Sequence, residues 1–190
     1  MKTKSIRKIY SGILIAGLGL GVLASGLLAQ RGPQDSWYLD KEVPLPAMPG
    51  LNAPHGFDIA PNGDSYVVDD GNDRVSAWDA NGSFLRAWGK YGTGIGQFNN
   101  PRGIAVTADE VYVTEFSNKR IQVFDLQGNF LRKWGSSGSG DGQFNEPWGI
   151  TVDVVDANLT EVYVAEWNAH RIQVFDSNGA FRRKFGNSTL

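Results

Sequence analysis

The chain has 190 residues, enough for one ordinary domain, and its charge is divided unevenly along its length. The first 31 residues carry five basic side chains and no acidic one, whereas residues 32–190 carry 13 basic and 20 acidic side chains. This acidic body argues against a nucleic-acid partner, because phosphate binding depends on clustered lysines and arginines. The absence of cysteine excludes disulfides, thiol catalysis and cysteine-based zinc fingers.

The N-terminus has the pattern of a targeting segment. Basic residues in positions 1–8 precede an uncharged, apolar run over residues 9–30, which is typical of a secretory signal and also has roughly the 20 residues that a membrane-spanning helix needs. Residues 1–31 are therefore predicted to be a cleaved signal peptide or a retained anchor helix, and both remain open. In either case the following residues are expected outside the cytoplasm: secreted, periplasmic or at the cell surface, or anchored to the membrane by residues 9–30.

A predicted linker, residues 32–51, with room for one strand, leads into three copies of one sequence pattern. The motif prolines Pro54, Pro101 and Pro147 are spaced by 47 and 46 residues, and the copies cover about 52–98, 99–144 and 145–190. A period of this length with strand-like content is typical of propeller blades. The predicted fold class is therefore all-β, with residues 52–190 forming blades of four antiparallel strands.

Each copy contains four short runs rich in Val, Ile, Tyr and Phe, and "RIQVF" alternates polar and apolar residues as a half-buried strand does. Between the third and fourth runs stand "DANG", "DLQG" and "DSNG". An Asp in the first position and a Gly in the fourth predict a tight turn with the glycine at positive φ.

These motifs resemble a known family. P-x-G-I-x-V, V-Y-V-x-[DE], R-I-Q-V-F-D-x-x-G and F-x-x-x-[WF]-G together are similar to the NHL repeat, over residues 52–186. That family builds β-propellers, commonly six-bladed, with one four-stranded blade per repeat. The resemblance implies three blades, a partial or half propeller.

The candidate ligand-binding residues lie at two places in each copy. His55, Arg102 and Trp148 follow the motif prolines, and the resemblance implies that they open the innermost strand at the mouth of the central channel. The loops between the second and third strands differ among the copies, and variable loops on a constant frame are where binding usually occurs. These loops supply the other candidates: Phe116, Lys119, Trp167 and His170.

The resemblance also suggests an enzymatic alternative. Peptidyl-α-hydroxyglycine α-amidating lyase is an NHL-type propeller whose zinc is held by histidines in "PHG"-like contexts. His55 matches such a position, but Arg102 and Trp148 stand at the corresponding places and cannot ligate zinc as imidazole does. A protein zinc site needs at least three donors, and the chain has two histidines. No metal, cofactor or catalytic residue is therefore predicted. The leading hypothesis is a non-catalytic module that binds a protein, peptide or other ligand, and the alternative is a fragment or subunit of a lyase-type enzyme.

An acid–arginine pair recurs in every copy. A feature repeated in each blade is expected to be structural, since a ligand site must break the symmetry of the repeat. The pairs are predicted to tie strand two to strand three or one blade to the next. They are Asp69/Arg74, Glu115/Arg120 and Glu166/Arg171.

Three blades of a larger ring would leave two apolar faces uncovered, and such faces are liabilities. The expected open faces are Ile59, Val67 and Val75 on the first blade and Ile150, Val164 and Val174 on the third. Two copies related by a two-fold axis would cover each other and complete six blades, so a homodimer is predicted. The alternative is that the chain is a truncated product of a longer NHL-repeat gene.

Overall fold

The structure is a computed structural model that describes residues 27–31, 37–42, 50–156 and 159–186. The chain divides into two compact units, residues 1–49 and 50–190. In the first unit, strands β1 (Leu27–Arg31) and β2 (Trp37–Glu42) pair in antiparallel fashion. The end of the predicted signal or anchor helix is therefore a strand, because its backbone pairs with β2, and residues 1–26 lie outside the described residues. No helix within the described ranges has the length and apolar character needed to cross a membrane.

The second unit consists of three four-stranded antiparallel sheets, each with its strands in sequence order. This all-β arrangement confirms the predicted four-stranded blades and is consistent with a partial propeller. We call the sheets the first, second and third blade. The first blade contains β3 (Pro54–Ile59), β4 (Ser65–Asp69), β5 (Arg74–Trp78) and β6 (Phe84–Trp88); the second contains β7 (Pro101–Val106), β8 (Glu110–Glu115), β9 (Arg120–Asp125) and β10 (Phe130–Trp134); the third contains β11 (Pro147–Asp156), β12 (Leu159–Glu166), β13 (Arg171–Asp176) and β14 (Phe181–Phe185).

The turn between the third and fourth strands of each blade is built by its aspartate. In the second blade the Asp125 carboxylate accepts hydrogen bonds from the backbone N–H groups of Gln127 and Asn129, at 2.9 and 2.8 Å. The chain reverses through Gly128 at φ +89°, a conformation that glycine adopts without a steric cost. The turns at Gly82 and Gly179 have the same conformation, as the sequence predicts.

The apolar cores lie between blades rather than within one. The first core joins side chains of the first and second blades, and the second core joins the second and third. The fully buried aromatic residues of these cores are Tyr66, Phe98 and Phe124 in the first and Tyr112, Phe144 and Phe175 in the second. Since a four-stranded sheet has apolar side chains on both faces, each blade depends on its neighbours for burial.

The prediction for the open faces was partly wrong. Ile59 is exposed as expected, but Val75 lies fully buried in the core between the first and second blades. Val164 and Val174 are fully buried, and Val164 and Ile150 are packed in the core between the second and third blades. Strand alternation places residues on two faces, but it does not tell which face meets the preceding blade and which the following one.

A tryptophan at the end of the outermost strand locks each blade to the next. The Trp88 ring of the first blade lies so close to Gly128 that a Cβ there would stand 2.7 Å from it. Trp134 covers Gly179 of the third blade in the same way, at 2.5 Å. The turn glycine is therefore needed twice, for its positive φ and for the contact with the neighbouring ring.

This lock gives a stability prediction. Gly179→Ala introduces both backbone strain at φ +86° and a clash with Trp134, and we expect it to lower the free energy of unfolding by about 2–4 kcal/mol. Gly142→Ala is the matched control, because Gly142 has φ +77° and no neighbouring atom within 4 Å, so only the strain of about 1–2 kcal/mol remains. Urea unfolding of both variants measures the difference. Equal losses would contradict the interblade lock.

Candidate functional site

The candidate residues of the three blades lie at one end of the sheets. In each blade the first residue of the innermost strand is paired with the last residue of the second strand, as in Pro101 with Glu115 and Pro147 with Glu166. The residues after the motif prolines therefore lie beside the loops between the second and third strands. This register brings the two predicted groups of ligand-binding residues to the same edge.

The acid–arginine pair of the second blade holds the incoming linker. Arg120 Nε donates to Glu115 Oε1 at 2.5 Å, and the rest of the guanidinium donates to carbonyl oxygens of the segment 93–97, which connects the first blade to the second. Gln122 adds a hydrogen bond from Nε2 to the same carboxylate at 2.9 Å. The Glu115 side chain is fully buried, and this burial raises its pKa, against the opposing effect of the Arg120 charge and hydrogen bonds.

The other two blades repeat this arrangement. Arg171 Nε donates to Glu166 at 2.5 Å and its other nitrogens donate to carbonyls of the segment 139–143. Arg74 donates to Asp69 at 2.7 Å and to the Gly50 carbonyl at 2.9 Å. Each pair joins strand two to strand three and to the segment entering its own blade, so the loop between those strands has a fixed base.

Arg102 joins all three blades at the mouth. One terminal nitrogen, Nη1, donates to His55 Nε2 and, at 3.1 Å, to Asp70 Oδ2, both on the first blade. Its guanidinium lies 5.1 Å from the ring centre of Trp148 on the third blade and 5.7 Å from that of Phe116 on the second. Both distances are within the range of a cation–π interaction.

Trp148 also packs against a second tryptophan, Trp167, which faces solvent. The ring centres of Trp148 and Trp167 are 5.4 Å apart with an angle of 34° between the planes, and Phe116 stands edge-on to Trp148 at 5.9 Å. The backbone N–H of Trp167 donates to the Glu146 carbonyl at 3.0 Å, yet 67% of the residue is exposed. We call His55, Asp70, Arg102, Phe116, Trp148 and Trp167 the mouth cluster.

A cleft of about 240 Å³ opens beside the mouth cluster. The innermost strands of all three blades line it, through His55, Phe57, Arg102, Ile104, Trp148 and Ile150 and the adjoining glycines. In the mouth cluster, Asp70 Oδ1 and Arg102 Nε are buried without a hydrogen-bond partner among the described residues. Buried polar atoms are rarely left unpaired in folded proteins.

The structure brings together most, but not all, of the predicted ligand-binding residues. Lys119 Nζ lies 4.5 Å from the Phe116 ring centre, at the rim of the mouth cluster. His170 is exposed in its loop and makes none of the contacts that join the cluster. Asp70 was not predicted as a site residue, because the corresponding loop residues of the other blades are Phe116 and Trp167. The neighbouring Asp73 has a raised pKa, first through burial and then through the negative charge of Asp70.

No group of three or more His, Asp or Glu side chains among the described residues is arranged to hold a metal ion. His55 faces Arg102, whose positive charge opposes a cation at the same nitrogen. The predicted zinc alternative therefore has one histidine at the mouth and a guanidinium where a second would stand.

The NHL repeat family matches residues 98–124, which hold the end of the segment connecting the first blade to the second, strands β7 and β8, and β9 up to Phe124. The chain therefore carries an NHL repeat, as its motifs predict. No curated protein matches its sequence significantly.

Solved structures with a similar fold include hydrazine synthase from Kuenenia stuttgartiensis, which is 17% identical with a TM-score of 0.56 over 78% of this chain and 40% of that chain. The selenomethionine-substituted virginiamycin B lyase from Staphylococcus aureus is 18% identical with a TM-score of 0.53, over 87% of this chain and 50% of that one. A dihydro-heme d1 dehydrogenase is 14% identical with a TM-score of 0.55, over 74% and 30%. The chain spans half or less of these proteins, and at such identities the likeness shows the fold alone.

The buried acid–arginine pair gives a pH-dependent prediction. Arg120→Met leaves the buried Glu115 carboxylate without its counter-charge, and we expect a loss of about 3–5 kcal/mol in the free energy of unfolding at neutral pH. Removal of Arg120 raises the pKa of Glu115 further, so the carboxyl becomes protonated in the folded protein as the pH falls. The loss should therefore shrink between neutral and mildly acidic pH in urea unfolding.

Arg182→Met is the control for this prediction. Arg182 pairs with Asp176 at 3.0 Å and is 54% exposed, so its loss should cost at most about 1 kcal/mol. An Arg120→Met penalty that is as small as the control, or that does not fall with pH, would contradict the role of the pair.

Proposed function

We propose that the chain is a non-catalytic NHL-repeat module that binds a protein or peptide through the mouth cluster. The observation that carries the proposal is the Trp148–Trp167 pair, which is held against Arg102 at the junction of three blades and remains open to solvent. Tryptophan and arginine are the residues that most often dominate the energy of protein interfaces. A large aromatic surface fixed by its neighbours loses little conformational freedom on binding.

The charges around the cluster favour a particular kind of ligand. Asp70 neutralises Arg102 within the cluster, whereas no ion pair involves Lys119 among the described residues and its ammonium lies at the rim. A ligand that places an aromatic or apolar side chain on Trp148 and Trp167 and an acidic group beside Lys119 would match both features. The proposed ligand is therefore a peptide segment with an apolar anchor next to an acidic residue.

The rival proposal, an enzyme of the lyase type, draws support from the fold, since similar propeller-like structures include a lyase and a dehydrogenase. Its only local support is His55. That imidazole is engaged by Arg102 in the mouth cluster, which favours a role in shaping the binding surface over one in holding zinc.

The place of action is also a proposal. The basic N-terminal residues followed by the apolar run support export, so that residues 32–190 act outside the cytoplasm, either released or held at the membrane. An extracytoplasmic module with a solvent-facing aromatic pair is suited to meeting a peptide or protein there.

A phage-displayed library of random peptides is the probe for this function. Peptides selected on the wild-type protein should combine an aromatic or large apolar residue with an acidic one. Trp167→Ala should weaken binding of the selected peptides by about thirtyfold, or about 2 kcal/mol, because the anchor loses its main contact. Isothermal titration with a synthetic copy of the strongest peptide measures this loss.

Leu131→Ala is the control, because Leu131 is 45% exposed but lies on β10, the outermost strand of the second blade, whereas the mouth cluster lies on the innermost strands and the loops between the second and third strands. It should leave peptide affinity unchanged. Equal losses in the two variants, or no selected peptide that depends on Trp167, would contradict the proposal. Stoichiometric zinc in the purified protein that is lost in His55→Ala would support the lyase-type rival instead.

A further inference from the structure

The outer faces of the first and third blades are two halves of an interface that the chain already forms twice internally. At both internal junctions an arginine and a tryptophan of one blade meet the Asp-x-x-Gly turn of the next. Arg86 Nη1 donates to the Leu126 carbonyl at 2.9 Å and Arg132 Nε donates to the Ser177 carbonyl at 2.7 Å. Trp88 and Trp134 cover the turn glycines of the following blades.

The third blade presents the first half of this interface without a following blade in the structure. Arg183 donates to Glu161 at 2.5 and 2.7 Å and to the Tyr163 hydroxyl at 3.1 Å. This repeats the way Arg132 is held by Glu110 and Tyr112 in the second blade. Arg183 is thus already oriented as Arg132 is, and its side chain is 49% exposed.

Phe185 completes that half. It occupies the place of Trp88 and Trp134 at the end of the outermost strand, and 49% of it is exposed. Gly149 on the innermost strand of the third blade also has no contact with a following blade within the described residues. A Cβ at Gly103 would stand 2.4 Å from the Trp148 carbonyl of the next blade, whereas the nearest atom to one at Gly149 is 3.8 Å away and belongs to its own blade.

The first blade presents the second half. Its turn holds Ala80 in the place of Leu126 and Ser177, and Gly82 in the place of Gly128 and Gly179, but a Cβ at Gly82 would have no atom within 4 Å. Phe57 and Ile59 on the same blade are 67% and 54% exposed. The counterparts of Phe57 are Ile104 and Ile150, those of Ile59 are Val106 and Val152, and all four are packed in or against the interblade cores.

We infer that the third blade of one copy docks on the first blade of a second copy, with Phe185 on Gly82 and Arg183 on the Ala80 carbonyl. A two-fold axis repeats the contact and closes a ring of two copies and six blades. This size lies within the four to eight blades of known propellers, and closed two-fold dimers are the commonest oligomers. A second copy of the chain fits these two exposed faces, because each face reproduces one side of a blade junction that is present within the chain.

The mass of the full-length protein, purified in mild detergent and measured by size-exclusion chromatography with light scattering, tests the inference. The wild-type protein should be a dimer at micromolar concentration. Gly82→Asn should weaken the dimer by about tenfold or more, because asparagine tolerates positive φ but its side chain takes the space of Phe185. Gly142→Asn, at a similar φ with open space in the linker between the second and third blades, should remain a dimer.

Cross-linking then identifies the surfaces. The chain has no cysteine, so Asn81→Cys and Lys184→Cys, at exposed positions next to Gly82 and Phe185, can be combined and treated with a short bismaleimide. A mixture of the two single variants can be treated likewise. Covalent dimers are expected from the double variant and from the mixture, and none from either single variant alone. A wild-type monomer, a dimer unaffected by Gly82→Asn, or a ladder of longer cross-linked species would overturn the closed two-copy ring.

Discussion

The mutual covering of blade faces is the constraint on which this structure depends. Each four-stranded sheet has apolar side chains on both faces, and the two described cores lie between sheets. Fully buried Val75 and Val164 are buried by a neighbouring blade as well as by their own. The stability of one blade is therefore coupled to that of the next, as in other repeat proteins. Within the described residues, the second blade has a neighbouring blade on each side.

Buried polar groups fix how the blades are connected. The Glu115–Arg120 and Glu166–Arg171 pairs fasten the glycine-rich linkers that lead into their blades. A buried charge without its partner is costly, so these pairs hold each linker in one conformation. The loops that carry Phe116 and Trp167 begin at the paired glutamates. This places a variable, aromatic surface on a rigid base, which is the arrangement that favours specific binding with little loss of conformational entropy.

Much of the fold follows from the sequence because it repeats. Strand positions and the Asp-x-x-Gly turns could be predicted from three aligned copies, and the aspartate and glycine each have a local physical reason. The mouth cluster could be predicted only in part. Asp70 was missed, since the corresponding loop residues of the other copies are aromatic. The contact of Arg102 with His55 also escaped prediction, because it joins different blades and depends on how the innermost strands are placed.

The sequence also could not assign each face of a strand to the preceding or the following blade. Alternation identifies which residues of a strand share a side, but Val75 and Val164 show that it does not assign that side to the preceding or the following blade. That assignment comes from packing between blades, through contacts such as Trp134 on Gly179. Once the faces are assigned, the exposure of Phe185 and Phe57 identifies the blade faces that no other described blade covers.

The central claim is that burial between blades, rather than within them, holds the chain together. Native-state amide hydrogen exchange in dilute protein, below the concentration at which copies associate, tests it most directly. The account predicts that amides of β8 and β9 in the second blade exchange most slowly, through global unfolding, and that those of β3 and β14 exchange faster through local opening. Equal protection across the three blades, or weaker protection in the second, would contradict it.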